Sequence, residues 1–554
     1  ISPICQKSFL PGAKQLCKLY LLCGGSAIKN AKIIDGSGAD SFVGSVAIDG
    51  DKIKLVTEGT AAEAKQEIDA TGKVLCPGFI DAHTHGDMPL GQEFASFSKL
   101  SQGITTQVGG MCGMSMAPVD PRYVEMVQAS MGMLLGKFPD EMATFTTYEK
   151  YMDYAKKIAV PENTKFLVGH LTLRVAAMGY ANREPTRAEM ENMKSMLEEA
   201  LQAGAGGLSS GLVYVPSAYG KEAELSELCK VVAKYNGIYT THMRNEGTQC
   251  IESVKESINT CRNSGVDLII SHHKFQGIPS WGNSRISLEM INHANEVEGL
   301  SVHCDQYPYT ASQTQLSVCA PPEYYDHGME GMVKYLKDPV MREKIRKDMN
   351  DPAHDYDNYY LNSGGWKGVL ISKSVNLPEI EGMTVQAYAD KVGKDPFDVF
   401  CDVMIANDGV ATAIYFTMCD EDLFRIIQNK YVMVGSDGIL RAADDKPHPR
   451  ALGTFPHAIR TFVKENKLMS LEAMIHKMTG MTAAVTKIPN KGLIKDGYDA
   501  DLLIFDYDKL YDRADYKNPN LPCEGIEYVF VNGQLTYHDM KLTGAKAGRL
   551  VLMN

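Results

Sequence analysis

Histidines and one aspartate follow several short apolar segments of this chain, at positions where a β-strand would end. His83 and His85 stand two apart in Gly-Phe-Ile-Asp-Ala-His-Thr-His, so in a strand both side chains would lie on one face. His242 and His272 close the segments Tyr-Thr-Thr-His and Ile-Ile-Ser-His, and Asp437 closes Met-Val-Gly-Ser-Asp. One such residue alone is usually a buried or capping residue. Their joint occurrence predicts a metal site, since imidazole and carboxylate groups are zinc ligands that leave room for water.

A cysteine poses a separate question. Cys112 lies in Gly-Gly-Met-Cys-Gly-Met-Ser-Met-Ala-Pro, just after the β-rich segment Ile-Thr-Thr-Gln-Val. The local sequence alone is compatible with a packing residue, a nucleophile or a metal ligand. The chain has 13 cysteines with uneven spacing, which favours reduced thiols over a disulfide framework.

The candidate ligands need a scaffold that brings the ends of several strands together. Short apolar segments alternate with helical ones, such as residues 186–203, where apolar residues recur at helical spacing. Eight candidate strands lie at 74–80, 105–108, 166–169, 206–208, 239–242, 268–272, 301–305 and 432–437. Eight strands in a β-then-α order predict an α/β fold, a (β/α)8 barrel, whose chemistry lies at the carboxyl ends of its strands.

Both ends of the chain have a different character. Residues 26–57 are predicted to form short strands with alternating side chains, joined by turns. A similar sequence pattern returns only at 500–506 and 528–535. Two pieces of like character so far apart in sequence predict one small β-sandwich domain that is built from both chain ends.

These patterns divide the chain into domains. We expect the small β-domain at 26–78 and 488–554 and a catalytic barrel at 79–487. The barrel would carry an aromatic-rich insertion at about 313–413 that covers its mouth. Residues 1–25 would form an N-terminal extension, disordered or processed, outside the fold.

Composition excludes several classes of function. With 44% apolar and 22% charged residues, the 554-residue chain is typical of a globular protein with more than one core. A net charge of −12 without a basic run argues against a nucleic-acid surface. No apolar stretch reaches the roughly 20 residues of a membrane helix, so we expect no membrane partner. Lys18 interrupts the short apolar run near the N-terminus, which favours a cytoplasmic protein over a secreted one.

Motifs spread along the chain resemble those of a known family. From about residue 26 onward the sequence is similar to the amidohydrolase superfamily, specifically the N-acyl-D-amino-acid deacylase (D-aminoacylase) family. The motifs are His-Thr-His, Cys-Gly-Met-Ser-Met-Ala-Pro, Gly-His-Leu-Thr-Leu-Arg, Gly-Leu-Ser-Ser-Gly-Leu-Val-Tyr, His-Met-Arg-Asn-Glu-Gly, Ser-His-His-Lys, Asp-Gln-Tyr-Pro-Tyr-Thr-Ala and Pro-His-Pro-Arg-Ala-Leu-Gly-Thr-Phe. The resemblance implies zinc-dependent hydrolysis of the amide bond of small N-acyl-D-amino acids, with one or two zinc ions per chain.

The same resemblance assigns roles to individual residues. It makes Cys112 a metal ligand at the second strand, where many relatives in the superfamily use a carboxylated lysine. It makes Asp437 the general base that takes a proton from water and passes it to the leaving amine.

The resemblance also implies a substrate-binding group. Lys274 and Arg450 would hold the carboxylate of the substrate, with Tyr307 adding a hydroxyl and His273 helping to polarise the scissile carbonyl. The family often places a serine where this chain has Gln313, so the way in which the carboxylate is recognised is open.

Three alternatives remain. Gly-Leu-Ser-Ser-Gly at 207–211 matches a nucleophile elbow, which would make the protein a serine hydrolase that uses Ser209, although Pro216 is unsuited to the helix that should follow. Hydrolysis of a cyclic amide, as in hydantoinase-like relatives, is the nearest enzymatic alternative. A barrel that has lost its chemistry and serves as a scaffold is the third, and the complete ligand set argues against it. The sequence does not indicate an oligomeric state.

Overall fold

The structure is a computed structural model that describes residues 25–58, 64–87, 90–135, 138–440, 442 and 446–553. The expected N-terminal extension, except for Gly25, lies outside these residues. In chain order the strands are β1 (Ser26–Ile33), β2 (Phe42–Asp49), β3 (Lys52–Glu58), β4 (Gln66–Asp69), β5 (Val74–Pro77), β6 (Phe79–Asp81), β7 (Ile104–Gly109), β8 (Asn163–Phe166), β9 (Val168–Gly169), β10 (Gly207–Gly211), β11 (Ile238–His242), β12 (Asp267–Ile270), β13 (Val302–Gln306), β14 (Ala311–Gln315), β15 (Val369–Lys373), β16 (Thr412–Phe416), β17 (Val432–Val434), β18 (Leu502–Phe505), β19 (Ile526–Val531), β20 (Gln534–His538) and β21 (Lys541–Leu542).

Helices fill most of the intervals between the strands. They are α1 (Glu93–Leu100), α2 (Val124–Leu135), α3 (Tyr148–Ala155), α4 (His170–Met178), α5 (Arg187–Gln202), α6 (Glu222–Lys234), α7 (Cys250–Ser264), α8 (Ser284–Glu296), α9 (Gly328–Lys337), α10 (Pro339–Met349), α11 (Tyr359–Asn362), α12 (Val385–Val392), α13 (Pro396–Ala406), α14 (Asp420–Gln428), α15 (Arg450–Ala458), α16 (Leu471–Met478) and α17 (Gly480–Val485). The helix predicted at 186–203 is α5, which begins with a capping box between Thr186 and Glu189. No helix among the described residues combines the length and the apolar character that crossing a membrane requires.

Parallel strands form the centre of the α/β fold. One sheet has the order β17-β13-β12-β11-β10-β9 and a second has the order β6-β7-β8, with parallel pairing throughout. An isolated parallel bridge joins Thr84, after β6, to Gly438, after β17. Because all these strands run in the same direction, their carboxyl ends lie at a common edge.

Several predicted strands differ from those observed. The segment predicted as a strand at 166–169 is divided between β8 and β9, and the segment at 432–437 ends as a strand at Val434. The prediction of a single strand at 74–80 was wrong, because the segment contributes β5 to one sheet and β6 to another. The division falls at Gly78, where a Cβ atom would lie 2.2 Å from the Thr105 side chain, so only glycine fits where the chain leaves one sheet for the other.

The two ends of the chain meet in a nine-stranded sheet. Its order is β21-β20-β19-β18-β5-β1-β2-β3, with β4 paired to β1, so β18 from the C-terminal part lies beside β5 from the N-terminal part. Strands of this sheet from both ends of the chain contribute side chains to one buried apolar cluster, which includes Ile28, Ile48, Leu75, Leu502 and Ile504.

The long interval between β13 and β17 has a structure of its own. It contains the antiparallel sheet β14-β16-β15 together with helices α9 to α14. Two aromatic residues of this interval, Tyr359 and Tyr415, are buried and lie edge to face with ring centroids 5.0 Å apart.

Candidate metal centre

Five of the predicted site residues come together at the carboxyl edge of the parallel strands. His242 is the last residue of β11, His83 and His272 follow β6 and β12 by two residues, and Cys112 and Asp437 follow β7 and β17 by three. All five side chains are buried. Residues from distant parts of the chain therefore meet because each follows a strand of the parallel sheets.

Cys112 lies at the centre of this group. Its Sγ atom is 3.4 Å from His83 Nε2, 3.6 Å from His272 Nε2 and 4.0 Å from His242 Nδ1. A tetrahedral zinc ion with ordinary bond lengths separates a sulfur ligand from a nitrogen ligand by about 3.6 Å. The donor set formed by Cys112, His242 and His272 therefore has both the chemistry and the spacing of a zinc site.

A second set of donors adjoins the first. Ligand atoms of His83, His85, Cys112 and Asp437 all lie within 4.8 Å of one another. Asp437 Oδ1 is 3.3 Å from His85 Nε2 and 3.5 Å from His83 Nε2. Cys112 belongs to both sets, which suits either one metal ion or two ions that share the thiolate.

Neighbouring charges determine the ionisation of this cluster. Burial alone would raise the pKa of the Cys112 thiol, but the imidazoles of His83, His242 and His272 outweigh it and hold that pKa well below its usual value. Burial likewise opposes the protonation of His83, yet the charges of Asp305 and Cys112 raise the pKa of that imidazole well above its usual value. A thiolate is thus the favoured form of Cys112, and a thiolate is what a metal ion binds.

Three of the cluster residues have unusual backbone conformations. The φ angles are +53° at Cys112, +37° at His272 and +49° at Asp437, in the left-handed region that non-glycine residues seldom adopt. Each such backbone conformation costs on the order of 1–3 kcal/mol of folding free energy, and conformations of this kind are concentrated at functional sites. The left-handed turns direct the three side chains into the cluster directly after their strands end.

Other buried groups hold the histidines in place. Asp305, in β13, lies 3.4 Å from His83 Nδ1 and accepts a hydrogen bond from the backbone N–H of His272 at 2.8 Å. Glu246 Oε1 is 3.1 Å from His272 Nδ1, and the Tyr359 hydroxyl is 3.4 Å from His242 Nε2. Sequence reasoning assigned no role to these supporting residues, because only the fold brings their side chains to the imidazoles.

The predicted substrate-binding residues lie beside the cluster, with one exception. Arg450 Nη1 is 2.9 Å from Asp437 Oδ2. The ring centroid of Tyr307 is 4.7 Å from Arg450 Cζ and 5.6 Å from Lys274 Nζ. His273 faces away, because its Nε2 is 3.0 Å from the Ser287 hydroxyl on α8. His272 Nε2 is directed to Cys112 Sγ instead, so the two neighbouring histidines do not face the same site.

Asp437 and Lys274 differ from solvated surface charges. Burial would raise the pKa of Asp437, but the guanidinium of Arg450 and the nearby histidines outweigh it and lower that pKa well below its usual value. Lys274 Nζ donates to both carboxylate oxygens of Glu246, at 2.8 and 2.9 Å. Arg450 and Lys274, which are predicted to hold the substrate carboxylate, are therefore each already paired with a buried carboxylate.

Gln313 is engaged in holding the backbone. Its Oε1 accepts from the N–H of His448 and its Nε2 donates to Ser372, both at 3.1 Å. The adjacent Ser312 is buried, and its hydroxyl has no hydrogen-bond partner among the described residues. Ser312 also lines the small cavity beside the cluster. Next to that cavity lies a larger one of about 740 Å³, with Tyr214 in the wall of both.

Ser209 does not have the surroundings of a nucleophile. It lies within β10, and its hydroxyl accepts a hydrogen bond from Gly113 N and donates one to Gly110 O. A nucleophile needs a base within hydrogen-bond distance, and both of these partners are backbone atoms. The hydroxyl instead fixes the loop that carries Cys112.

Comparison with known proteins agrees with a hydrolase of the metal-dependent class. The chain matches the amidohydrolase family over residues 66–265 and 421–537. It is 32% identical to D-aminoacylase of Alcaligenes xylosoxydans xylosoxydans over 96% of this chain and 97% of that one. It is 34% identical to N-acyl-D-aspartate deacylase of the same organism over 95% and 94%, respectively. The chain belongs to the amidohydrolase family, in the branch of the N-acyl-D-amino-acid deacylases.

Solved structures agree with this placement. The crystal structure of N-acyl-D-glutamate deacylase from Bordetella bronchiseptica, complexed with zinc and a phosphonate inhibitor, is similar with a TM-score of 0.80 and 32% identity, over 95% of this chain and 99% of that one. L-hydantoinase from Arthrobacter aurescens is more distant, with a TM-score of 0.55 and 16% identity, and shares the fold.

The first prediction concerns Cys112. We expect Cys112→Ala to lose bound zinc and activity together, because the variant removes the donor that both ligand sets share. Metal analysis of the purified variant measures this, and circular dichroism checks that the fold persists. Cys229→Ala, at a buried cysteine of α6, is the matched control and should keep its metal. Full metal content in the Cys112 variant would show that the thiol is not a ligand.

Proposed function

We propose that this protein is a zinc-dependent amidohydrolase that cleaves the amide bond of N-acyl-D-amino acids and releases a carboxylate and a free D-amino acid. The observation that carries the proposal is the buried group of Cys112, His242 and His272, whose donor atoms lie within 4.8 Å of one another beside Asp437. The family and the activity of the relatives support the substrate class.

We also propose that the parallel strands close into a (β/α)8 barrel. The consecutive strands β8 and β9 would together occupy one of its eight positions, and the bridge between Thr84 and Gly438 supports closure between β6 and β17. The nine-stranded sheet would be the core of a small domain at 26–78 and 488–554, beside the catalytic domain at 79–487.

The metal site would use one or two zinc ions. Cys112, His242 and His272 would hold one ion, and His83, His85 and Asp437 would complete a second site that shares Cys112. Zinc bound there would act as a Lewis acid toward the scissile carbonyl and would lower the pKa of a water molecule.

Asp437 would move the proton. As a buried carboxylate whose pKa is held low, it is ionised and able to accept a proton from the attacking water. The same carboxyl group would then deliver the proton to the nitrogen of the leaving amine. Arg450, whose Nη1 lies 2.9 Å from Asp437 Oδ2, would hold the carboxylate in position for both transfers.

Lys274, Tyr307 and Arg450 would bind the carboxylate of the substrate. The Tyr307 hydroxyl and Arg450 Nε are buried, and neither has a hydrogen-bond partner among the described residues. Buried polar atoms without partners are costly, so these two are available to a polar ligand. Ser312, with its free hydroxyl at the small cavity, could take the part that the family gives to a serine in place of Gln313.

A cyclic amide is the second candidate substrate. A cyclic amide carries no free carboxylate. Lys274 is paired with Glu246 and Arg450 with Asp437, so the proposed carboxylate-binding residues and their partners carry no net charge. Hydrolysis of a hydantoin in preference to any N-acyl amino acid would favour this alternative.

A substrate panel tests the proposed function. The protein with measured metal content is assayed with N-acetyl-D- and N-acetyl-L-amino acids and with a hydantoin, before and after chelation. The proposal expects cleavage of the D-series, loss of activity with a chelator and recovery with zinc. Inhibition by a serine reagent but not by a chelator would instead support Ser209.

The second prediction concerns Asp437. Asp437→Asn should lower kcat by at least about 100-fold, because acid–base catalysis by a positioned side chain contributes roughly that much. Steady-state kinetics measure the change, and zinc analysis of the same preparation separates loss of the proton carrier from loss of metal. An unchanged kcat with metal bound would rule out this role.

The third prediction concerns Arg450. Arg450→Met should raise KM for an N-acyl-D-amino acid about 10- to 150-fold, because a charge-assisted contact to the carboxylate is lost. The amide-capped analogue of that substrate, which has no negative charge, should show a much smaller rise.

Both substrates serve as each other's control. Loss of the ion pair to Asp437 should lower kcat equally for both substrates. Loss of the contact to the substrate carboxylate should raise KM only for the uncapped substrate. Arg262→Met removes an arginine of α7 that is paired with Glu298, and this variant should leave both KM values unchanged. An equal rise in KM for the two substrates would mean that Arg450 only supports the structure.

A further inference from the structure

Glu246 is a buried carboxylate with no role in the proposed mechanism. It lies four residues after His242, in the loop that follows β11, and its side chain is fully buried. Its backbone N–H donates to Asp357 Oδ2 at 3.0 Å and its backbone carbonyl accepts from Gln276 N at 2.7 Å. The loop therefore holds this carboxylate in a fixed position beside the cluster.

Four side chains surround the carboxylate. Lys274 Nζ donates to both oxygens, at 2.8 and 2.9 Å, and Gln276 Nε2 donates at 2.8 Å. His272 Nδ1 is 3.1 Å from Oε1, and His242 Nε2 is 3.7 Å from Oε2. Glu246 thus contacts two candidate zinc ligands and one candidate substrate-binding residue.

Two groups compete for His272 Nδ1. Lys274 Nζ lies 2.6 Å from this nitrogen and can only donate to it, which would place the ring proton of a neutral imidazole on Nε2. Glu246 Oε1 can only accept, which requires the proton on Nδ1. These arrangements exclude one another, because Nδ1 of a neutral imidazole is either a donor or an acceptor.

The location of the cluster decides between them. His272 Nε2 is the nitrogen that faces Cys112 Sγ, at 3.6 Å, so it must be free of a proton to bind a metal. The proton then lies on Nδ1 and is donated to Glu246. Lys274 then donates to Glu246 alone, so its Nζ must lie farther than 2.6 Å from the protonated Nδ1, and its third N–H is free for a ligand.

We propose that Glu246 is a positioning residue that sets the metal-binding tautomer of His272 and orients Lys274 toward the carboxylate of the substrate. The inference rests on the proposed function only for the second task, because the first concerns metal binding alone. A carboxylate that orients a ligand histidine typically improves metal affinity 10- to 100-fold.

The closing experiment compares Glu246→Gln with a matched control. Glu224 is also a buried glutamate that pairs with a cation and an imidazole, Arg174 at 2.6 Å and His170 at 2.8 Å, but it contacts no cluster residue among those described. We expect Glu246→Gln to weaken zinc affinity about 10- to 100-fold in a chelator competition, because the neutral amide accepts more weakly than a carboxylate and its NH2 group can face His272 Nδ1 in place of the oxygen. Glu224→Gln should lower the melting temperature and leave zinc affinity unchanged.

Lys274→Met separates the two tasks. It keeps the acceptor for His272 Nδ1, so zinc affinity should be retained while KM for the uncapped substrate rises. Glu246→Gln should change both. Because an unpaired buried Lys274 could prevent folding of the single variant, the double variant Glu246→Gln, Lys274→Met is measured beside it and should also bind zinc weakly.

Two results would overturn the proposal. One is unchanged zinc affinity in the folded Glu246→Gln or double variant. The other is an equal loss of affinity in Glu224→Gln, which would indicate general destabilisation. If the unaltered protein cleaves no N-acyl amino acid, the proposed function fails, whereas the zinc measurements still decide the first task of Glu246.

Discussion

The structure depends on the burial of a thiolate. Cys112 is buried at the carboxyl edge of the parallel strands, where a negative charge is costly unless positive groups surround it. His83, His242 and His272 approach the sulfur within 3.4–4.0 Å, and Asp305 and Glu246 in turn support two of these imidazoles. Imidazoles surround the sulfur and carboxylates lie beyond them, and a divalent cation at the sulfur would complete the balance of charge.

The same balance extends to the substrate side. Asp437 is paired with Arg450 and Glu246 with Lys274, so both cations proposed to bind the substrate are already neutralised. A substrate carboxylate would have to share them, and the unpartnered atoms of Tyr307 and Arg450 offer it further hydrogen bonds. Selectivity for a carboxylate would therefore come from hydrogen-bond geometry and not from an unpaired positive charge.

Much of the candidate site could be predicted from sequence because its residues directly follow strands. The position of a His or Asp after a β-rich apolar segment identified His83, His242 and Asp437, and parallel strands bring such ends together. Glu246 and Tyr359 were missed although Glu246 lies in the motif His-Met-Arg-Asn-Glu-Gly, because nothing in the sequence indicates which imidazole either side chain contacts. Their contacts with the imidazoles arise only because the loop after β11 and the interval between β13 and β17 reach the cluster.

Other differences have local causes. The segment at 74–80 contains Pro77-Gly78, a pair that commonly interrupts a strand, and the prediction of a single strand overlooked this signal that Gly78 divides the segment between two sheets. His273 has the same residue type as His272, and nothing in the sequence indicates that the ring of His272 would contact Cys112 while that of His273 contacts Ser287. The left-handed turns at Cys112 and Asp437 are equally invisible in the sequence, since neither residue is one that favours this conformation as glycine does.

The central claim is that Cys112 organises a metal site. A crystal structure of the zinc-loaded protein with anomalous data at the zinc edge tests it most directly. We predict an anomalous peak about 2.3 Å from Cys112 Sγ and about 2.0–2.1 Å from His242 Nδ1 and His272 Nε2. A peak confined to the group of Glu323, Asp348 and His354, in the interval between β13 and β17, or no peak beside Cys112, would contradict the account.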